Sequence, residues 1–406
     1  MTNIIIVIIN MDNFMKKIIS IFLCAALLVF YINPIPVNAE ETETDILSLE
    51  SKSAILIEVA SGQVIYEKNP DEMLRPASVT KIMTLLLIFE EIEAGNMCFD
   101  DIVTVTEHAA SMGGSQCFFE AGEQQTVQDM IKCIEIASGN DAAVAMAEHI
   151  AGSEQAFVDM MNKRAAELGM VNTHFENACG LEAEGHLTTA RDIAIMSREL
   201  LFNHPEIKDY STTWMDSITH KTKRGESQFD LANTNKFLNQ YTGATGLKTG
   251  YTSQAKYCMS ASASRNGVEL IAVIMGAETK EIRNSEAGKL LDYGYSKCKT
   301  YTDTEVLPDD FSVKVKYGTE KYVPYENCDT HEMVLVDKNP EDISKEVIPY
   351  NNLCAPVHKG DIIGAVQYSY NGNLIDEVHI YAAEDIEKLT FGYSLKNVAK
   401  KLFMAK

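Results

Sequence analysis

The 406-residue chain carries 35 basic against 58 acidic residues, a formal charge of −23, and 46% apolar side chains. That balance allows a large core and excludes a polyanion-binding surface, so no nucleic-acid partner is expected. An anionic substrate would need a positive patch built into the site itself. Lys16-Lys17, the apolar run at 18–32, then Pro34, Pro36 and Val37-Asn38-Ala39 follow one another as a charged, an apolar and a small-residue stretch. The series reads as a secretory leader over residues 1–39, cut after Ala39. Its apolar run falls short of the ~20 residues of a spanning helix, and Ile21-Phe22-Leu23 before Cys24 lacks the small residues of a lipoprotein box. Export is therefore expected. Eight cysteines follow the leader, Cys98, Cys117, Cys133, Cys179, Cys258, Cys298, Cys328 and Cys354, at irregular spacings without a C-x-x-C. They are expected mainly as buried free thiols, and neither a metal nor a cofactor is expected.

Residues 40–50 are acidic and polar, a short lead-in. Ala54-Ile55-Leu56-Ile57-Glu58-Val59, Ser61-Gly62 and Val64-Ile65-Tyr66 predict a β-hairpin. Pro76-Ala77 delivers the chain to Ser78, where an apolar helix starts that runs through Phe89 and Ile92 to Gly95. Thr126 with Asp129 predicts a helix ending just before Ser138. Ser153 opens another that stops at Gly169, and Thr189 with Asp192 opens a third. Past about residue 225 the pattern turns to paired strands at 248–251 and 257–263, a buried strand at 268–274 and a closing helix at 284–295. Strands at both ends around a block of helices predict an α+β domain over residues 40–300, one antiparallel sheet covered by helices. From about Tyr301, residues 313–317, 333–336, 365–370 and 378–381 alternate apolar and polar, with Asn371-Gly372-Asn373 as a turn. A small all-β domain is expected over 301–384. The tail, 385–406, carries Lys396, Lys400, Lys401 and Lys406 beside Leu395, Val398, Leu402 and Phe403, with Gly392 interrupting the pattern. It reads as a basic amphipathic helix for the outer face of a membrane.

Three motifs stand in order: Ser78-Val79-Thr80-Lys81, Ser138-Gly139-Asn140 and Lys248-Thr249-Gly250. Ser296 to Lys299 repeats the first pattern and Ser369 to Asn371 the second, but Lys-Thr-Gly occurs once. Together they describe a serine acyl-enzyme site. Ser78 and Lys81 share a helix face, so a neutral Lys81 can take the serine proton. A second cation, Lys248, and burial would both lower the Lys81 pKa. The Ser78 amide at a helix start offers one oxyanion donor and the Tyr251 amide a second. In the turn between two helices, Ser138 can relay a proton to a leaving amine, while Asn140 can meet a substrate carbonyl and fix Lys81. Lys248 and Thr249 suit an anionic end, and Gly250 suits close approach of an added strand.

These motifs in their settings, Arg75-Pro76-Ala77-Ser78-Val79-Thr80-Lys81, Ala137-Ser138-Gly139-Asn140-Asp141-Ala142 and Gly246-Leu247-Lys248-Thr249-Gly250-Tyr251-Thr252, resemble the low-molecular-mass penicillin-binding proteins that are D-alanyl-D-alanine carboxypeptidases. Leu168-Gly169-Met170, Gly180-Leu181 and Thr189-Ala190-Arg191-Asp192 resemble it as well. The resemblance implies a penicilloyl-serine transferase fold (the β-lactamase and transpeptidase type), a β-rich C-terminal domain and a terminal helix on the outer face of the cytoplasmic membrane. It implies removal of the last D-alanine from peptidoglycan stem peptides through a Ser78 acyl-enzyme, and acylation by β-lactam antibiotics. Carried over, Ser78 is the nucleophile, Lys81 its base and Ser138 the relay; Asn140, Lys248, Thr249, Gly250, Tyr251 and Arg283 bind substrate. Arg283, after Met275-Gly276-Ala277, is the expected carboxylate clamp. Two positions depart from the pattern: Lys256, where a glycine is usual, and Cys179, before Gly180-Leu181.

A class A β-lactamase shares the motifs but needs a glutamate for deacylation, and the stretch after Ser138 lacks its E-x-x-x-N pattern. A transpeptidase or endopeptidase differs only in what accepts the acyl group or what leaves. A non-catalytic wall-binding protein would not need Ser78, Lys81 and Lys248 intact.

Overall fold

The structure, a computed structural model, describes residues 46–308, 311–326 and 330–404, with the side chains of residue 397 and of 399–404 left aside. The expected leader, Cys24, Cys328 and Lys406 lie outside the described residues. Residues Leu49–Lys406 make up one compact unit, and of the other, Met1–Ser48, only 46–48 are described.

The elements follow in order. Strands β1 (Ser53–Glu58) and β2 (Val64–Lys68) form the expected hairpin. A 3-10 turn, Ala77–Thr80, leads into α1 (Lys81–Glu93), then β3 (Ile102–Thr104), α2 (Glu107–Ala110) and β4 (Gln124–Thr126). Helices α3 (Val127–Glu135), α4 (Asn140–Ala151), α5 (Glu154–Glu167), α6 (Ala190–Asn203) and α7 (Ile207–Ser211) come next. Hairpin β5 (Met215–Thr222) and β6 (Gly225–Ala232) precedes β7 (Ala244–Thr252), β8 (Lys256–Arg265), β9 (Val268–Ala277) and α8 (Lys280–Lys297). Thr126, Ser153 and Thr189 each cap a helix by accepting the amide three residues on. The Asp192 carboxylate does not serve a reciprocal box; it accepts from the Asn172 amide and the Thr173 hydroxyl, tying a neighbouring loop to α6.

The main sheet runs β2-β1-β9-β8-β7, every pair antiparallel. Its central strands are buried along most of their length and carry small or apolar residues there, because both faces are covered. Ile55, Ile57, Ile271, Val273 and Met275 join the core under the helices. Leu56 and Leu270 point the other way, against Gly294 of α8. On the helical side Ser197 of α6 hydrogen-bonds Ser260 of β8 at 2.8 Å. Helix α1 lies deep in this core, buried from Lys81 to Phe89.

Strand β10 (Cys298–Asp303) crosses the expected boundary at residue 300 and pairs with β13 (His331–Val336); β11 (Val313–Lys314) pairs with β12 (Tyr322–Val323). Strands β14 (Ile343–Pro349), β15 (Ile362–Tyr370) and β16 (Asn373–Tyr381) form a meander whose last turn is Asn371-Gly372, both at positive φ. This region has its own apolar cluster around Val313, Val357, Val366, Tyr368 and Ile380. Helix α9 (Phe391–Met404) ends the description, with Gly392 inside its first turn and not breaking it. Hairpin β5–β6 and strand β14 were not expected, because several of their outward positions are polar or charged and the apolar alternation is faint.

Candidate active site

The turn before α1 decides where Ser78 stands. Ala77 has φ +49, a left-handed value for a residue with a Cβ, and the next residues wind as a 3-10 turn. In that geometry residues three apart eclipse one another, more closely than in an α-helix. Lys81 Nζ accordingly donates to Ser78 Oγ at 3.1 Å. The same ammonium donates to Asn140 Oδ1 at 2.6 Å and to the Cys179 carbonyl at 2.7 Å. Lys81 is wholly buried, and burial first, then the charge of Lys248, lowers its pKa to about 7.

This set of partners fixes what the neutral amine can do. Asn140 Oδ1 and the Cys179 carbonyl only accept, so they claim the two N–H groups of a neutral Lys81. Its lone pair is then left facing the Ser78 hydroxyl, as a general base needs.

Ser138, at φ +62, turns the chain from α3 into α4, and Ser78 and Ser138 line one cavity of about 910 Å³ with Thr249 and Arg283. Lys248 Nζ donates to Ser138 Oγ at 2.9 Å from β7. Lys248 is buried; that lowers its pKa to about 8, with Glu135 opposing the shift and Arg283 adding to it. Asn140 spends one amide N–H on the Gly113 carbonyl at 2.7 Å, which leaves the second for a ligand. Thr249 is nearly buried, its hydroxyl 3.4 Å from that of Thr234.

Arg283 sits in the first turn of α8, where Nε and Nη2 both donate to Asn284 Oδ1 at 3.0 and 2.9 Å. Burial brings its pKa down to about 10. Tyr251 is 56% exposed at the mouth, its ring against Tyr257 at 4.4 Å. Gly250 differs from its expected reason. A Cβ there would lie 2.8 Å from the Pro76 carbonyl and 3.0 Å from the Ser78 amide, so its bare side lets β7 lie against the turn that carries Ser78.

The two departures also find their places. Lys256 adopts φ +60, a glycine-like conformation, and its ammonium pairs with Glu278 at 3.2 Å, which offsets the added charge. Cys179 lies outside the three motifs in sequence, yet its carbonyl accepts from Lys81, a contact that any residue type supplies there. Sequence reasoning missed the residues that shape this loop and the one opposite. Asn177 Oδ1 accepts from the amides of Gly180 and Leu181 at 2.7 and 3.0 Å. Asp141 accepts from the Cys117 amide at 2.9 Å. An Asn three residues before a Gly is the turn signal that marks the first; the second leaves no sequence signal.

Gly180 has φ +87, and a Cβ on it would meet the Ala77 carbonyl at 1.9 Å. Gly180→Ala should therefore lose more than ~2 kcal/mol of stability and acylate far more slowly; thermal unfolding and adduct formation check both. Among the described residues Cys117, Cys133, Cys179 and Cys258 are buried free thiols, Cys298 is partly buried, and Cys98 and Cys354 are exposed.

The assembled groups can open an amide that carries a terminal carboxylate: a hydroxyl with its base, a second hydroxyl held by a cation, backbone donors and a guanidinium. The described family model for D-alanyl-D-alanine carboxypeptidases matches residues 38–279, and that for the C-terminal domain of penicillin-binding protein 5 matches 299–388. The chain is 42% identical to D-alanyl-D-alanine carboxypeptidase DacF of Bacillus subtilis, over 94% of this chain and 97% of that protein. It is 32% identical to DacC of Escherichia coli, over 88% and 90%. Among solved structures it is similar to penicillin-binding protein 5 of Haemophilus influenzae, at 30% identity and TM-score 0.67, covering 84% of this chain and 98% of that one.

Proposed function

The chain belongs to the D-alanyl-D-alanine carboxypeptidase family, and from that premise we propose how its residues divide the work. It is a serine-type D-alanyl-D-alanine carboxypeptidase, and its substrate is the peptidoglycan stem peptide. Ser78 Oγ attacks the carbonyl between the two D-alanines while Lys81 takes the proton. The amides of Ser78 and Tyr251 hold the oxyanion. Ser138, donated to by Lys248, passes a proton to the departing D-alanine nitrogen. Lys248, Thr249 and Arg283 receive its carboxylate, and Asn140 offers its remaining N–H to the peptide. Water then releases the shortened peptide from Ser78. A β-lactam follows the first half of this path and stays as a penicilloyl ester. The observation that carries the reading is the fully buried Lys81, whose two pure acceptors leave its lone pair on Ser78. The test is D-alanine release from a diacyl-Lys-D-Ala-D-Ala peptide; a folded protein that releases none would overturn it.

Residues 1–39 act as the export leader, 40–300 as the catalytic domain and 301–384 as the β domain, a division supported by two separate apolar clusters. No helix among the described residues is long and apolar enough to cross a membrane. The tail instead lies on the surface of the bilayer. Exposed Phe391, Leu395 and Val398 support this, with Lys396 beside them. The hydrogen bonding of the β domain runs past the expected boundary at 384, since the Leu389 amide donates to the Tyr317 carbonyl and the Thr319 amide to that of Glu387, so the tail proper starts after Leu389. Truncation after Thr390 should therefore release the protein from anionic vesicles while leaving D-alanine release unchanged; sedimentation with vesicles checks it.

A further inference from the structure

Glu135 is the last residue of α3, three positions before Ser138, and is 1% exposed. Neither carboxylate oxygen has a hydrogen-bond partner among the described residues. Two effects oppose a charge there: burial, and the negative end of the helix dipole. An acid in such a place needs a cation, and Lys248 is at hand: its ammonium stands 2.9 Å from the hydroxyl of Ser138, three residues on, and its field reaches Glu135. The other charged and titratable groups nearby bear on Lys248 or Lys81: Arg283 on Lys248, and Asp141, Cys117 and Cys179 on Lys81. Burial first, then the neighbouring Cys117, Asp141 and Asp129, raises the pKa of Cys133, two residues away.

We infer that Glu135 is a positioning residue of the acyl-transfer site: its buried carboxylate, out of hydrogen-bond contact, is the counter-ion whose field keeps Lys248 charged beside Ser138. The inference rests on the reading of Lys248 as the cation for the substrate's terminal carboxylate and for Ser138. Without it the site would hold Lys248, Arg283 and Lys81 as buried cations with little to offset the repulsion between the first two. Burial raises the Glu135 pKa to about 7 and Lys248 draws it down, so each group supports the other's charge.

The experiment is the pH dependence of kcat/KM for D-alanine release from diacyl-Lys-D-Ala-D-Ala, comparing wild type with Glu135→Gln and Glu135→Asp. Glu135→Gln should move the alkaline limb down by about one pH unit, with KM rising about tenfold at pH 8.5 and much less at pH 6.5. Glu135→Asp, which keeps the charge, should restore most of the limb. An unchanged limb, or an equal loss at every pH, overturns the inference. An inactive wild type would instead overturn the functional reading. Thermal unfolding of Lys248→Met gives a readout free of activity and of the folding of the Glu135 variants. Deprived of its cation, Glu135 has its folded pKa raised further above its unfolded value. Stability should then fall more steeply than in wild type as pH rises from 5 to 9. Equal slopes in the two proteins would also overturn the inference.

Discussion

Ser78→Ala should lose D-alanine release by at least ~10³-fold while folding normally. Removing the nucleophile of a serine acyl-transfer site leaves only binding and oxyanion stabilisation, which together supply the residual rate. Fold should survive because Ser78 occupies a 3-10 turn and its side chain receives one hydrogen bond, from Lys81. The variant should still bind a substrate peptide, since Lys248, Thr249 and Arg283 remain. It should form no covalent adduct with a β-lactam. Retained turnover with an unchanged KM would show that another group attacks the carbonyl.

Lys81→Met should be nearly as damaging, and wild-type kinetics should carry its signature. A lysine with its ordinary pKa of about 10.4 is neutral in well under one molecule in a thousand at pH 7. With a pKa of about 7, half of the Lys81 side chains are neutral there. The gain in active base over a lysine of ordinary pKa is ~10³-fold, and a variant with no amine at all should lose at least that much. The sign of the pH dependence follows. Protonated Lys81 cannot take the Ser78 proton, so kcat/KM should climb as pH rises through about 7. Lys248 must stay charged to hold a carboxylate, so the rate should fall again as pH passes about 8. A bell with a narrow top is the result to look for in steady-state rates. Activity that stays flat from pH 5 to 10 would remove Lys81 as the base.

How much of this could be read from residues alone depends on range along the chain. Ser78 and Lys81 are three residues apart, so a helical start was enough to put them together. Several strands and helices of the main domain were legible for the same reason: Thr126, Ser153 and Thr189 announce their helices, and β9 is apolar apart from Glu269 and Gly276 because it is buried along its length. Ser138 and Lys248 meet across 110 residues, a pairing that only the family resemblance could suggest. What stayed hidden acts through backbone atoms or through space. The Cys179 carbonyl on Lys81 has no side-chain signature, and Gly250 faces the Ser78 turn for reasons of packing. Glu135 reads as a polar interruption in a helix face until its burial is known.

On the mechanism proposed, a single serine, poised by a buried neutral lysine, forms the covalent intermediate. Mapping a penicilloyl adduct by peptide mass spectrometry, after brief exposure of the protein to benzylpenicillin near pH 7.5, tests it most directly. One adduct per chain is expected, on the peptide carrying Ser78, absent from Ser78→Ala and strongly slowed in Lys81→Met. An adduct on Ser138 or elsewhere, or none on a folded wild type, would contradict it.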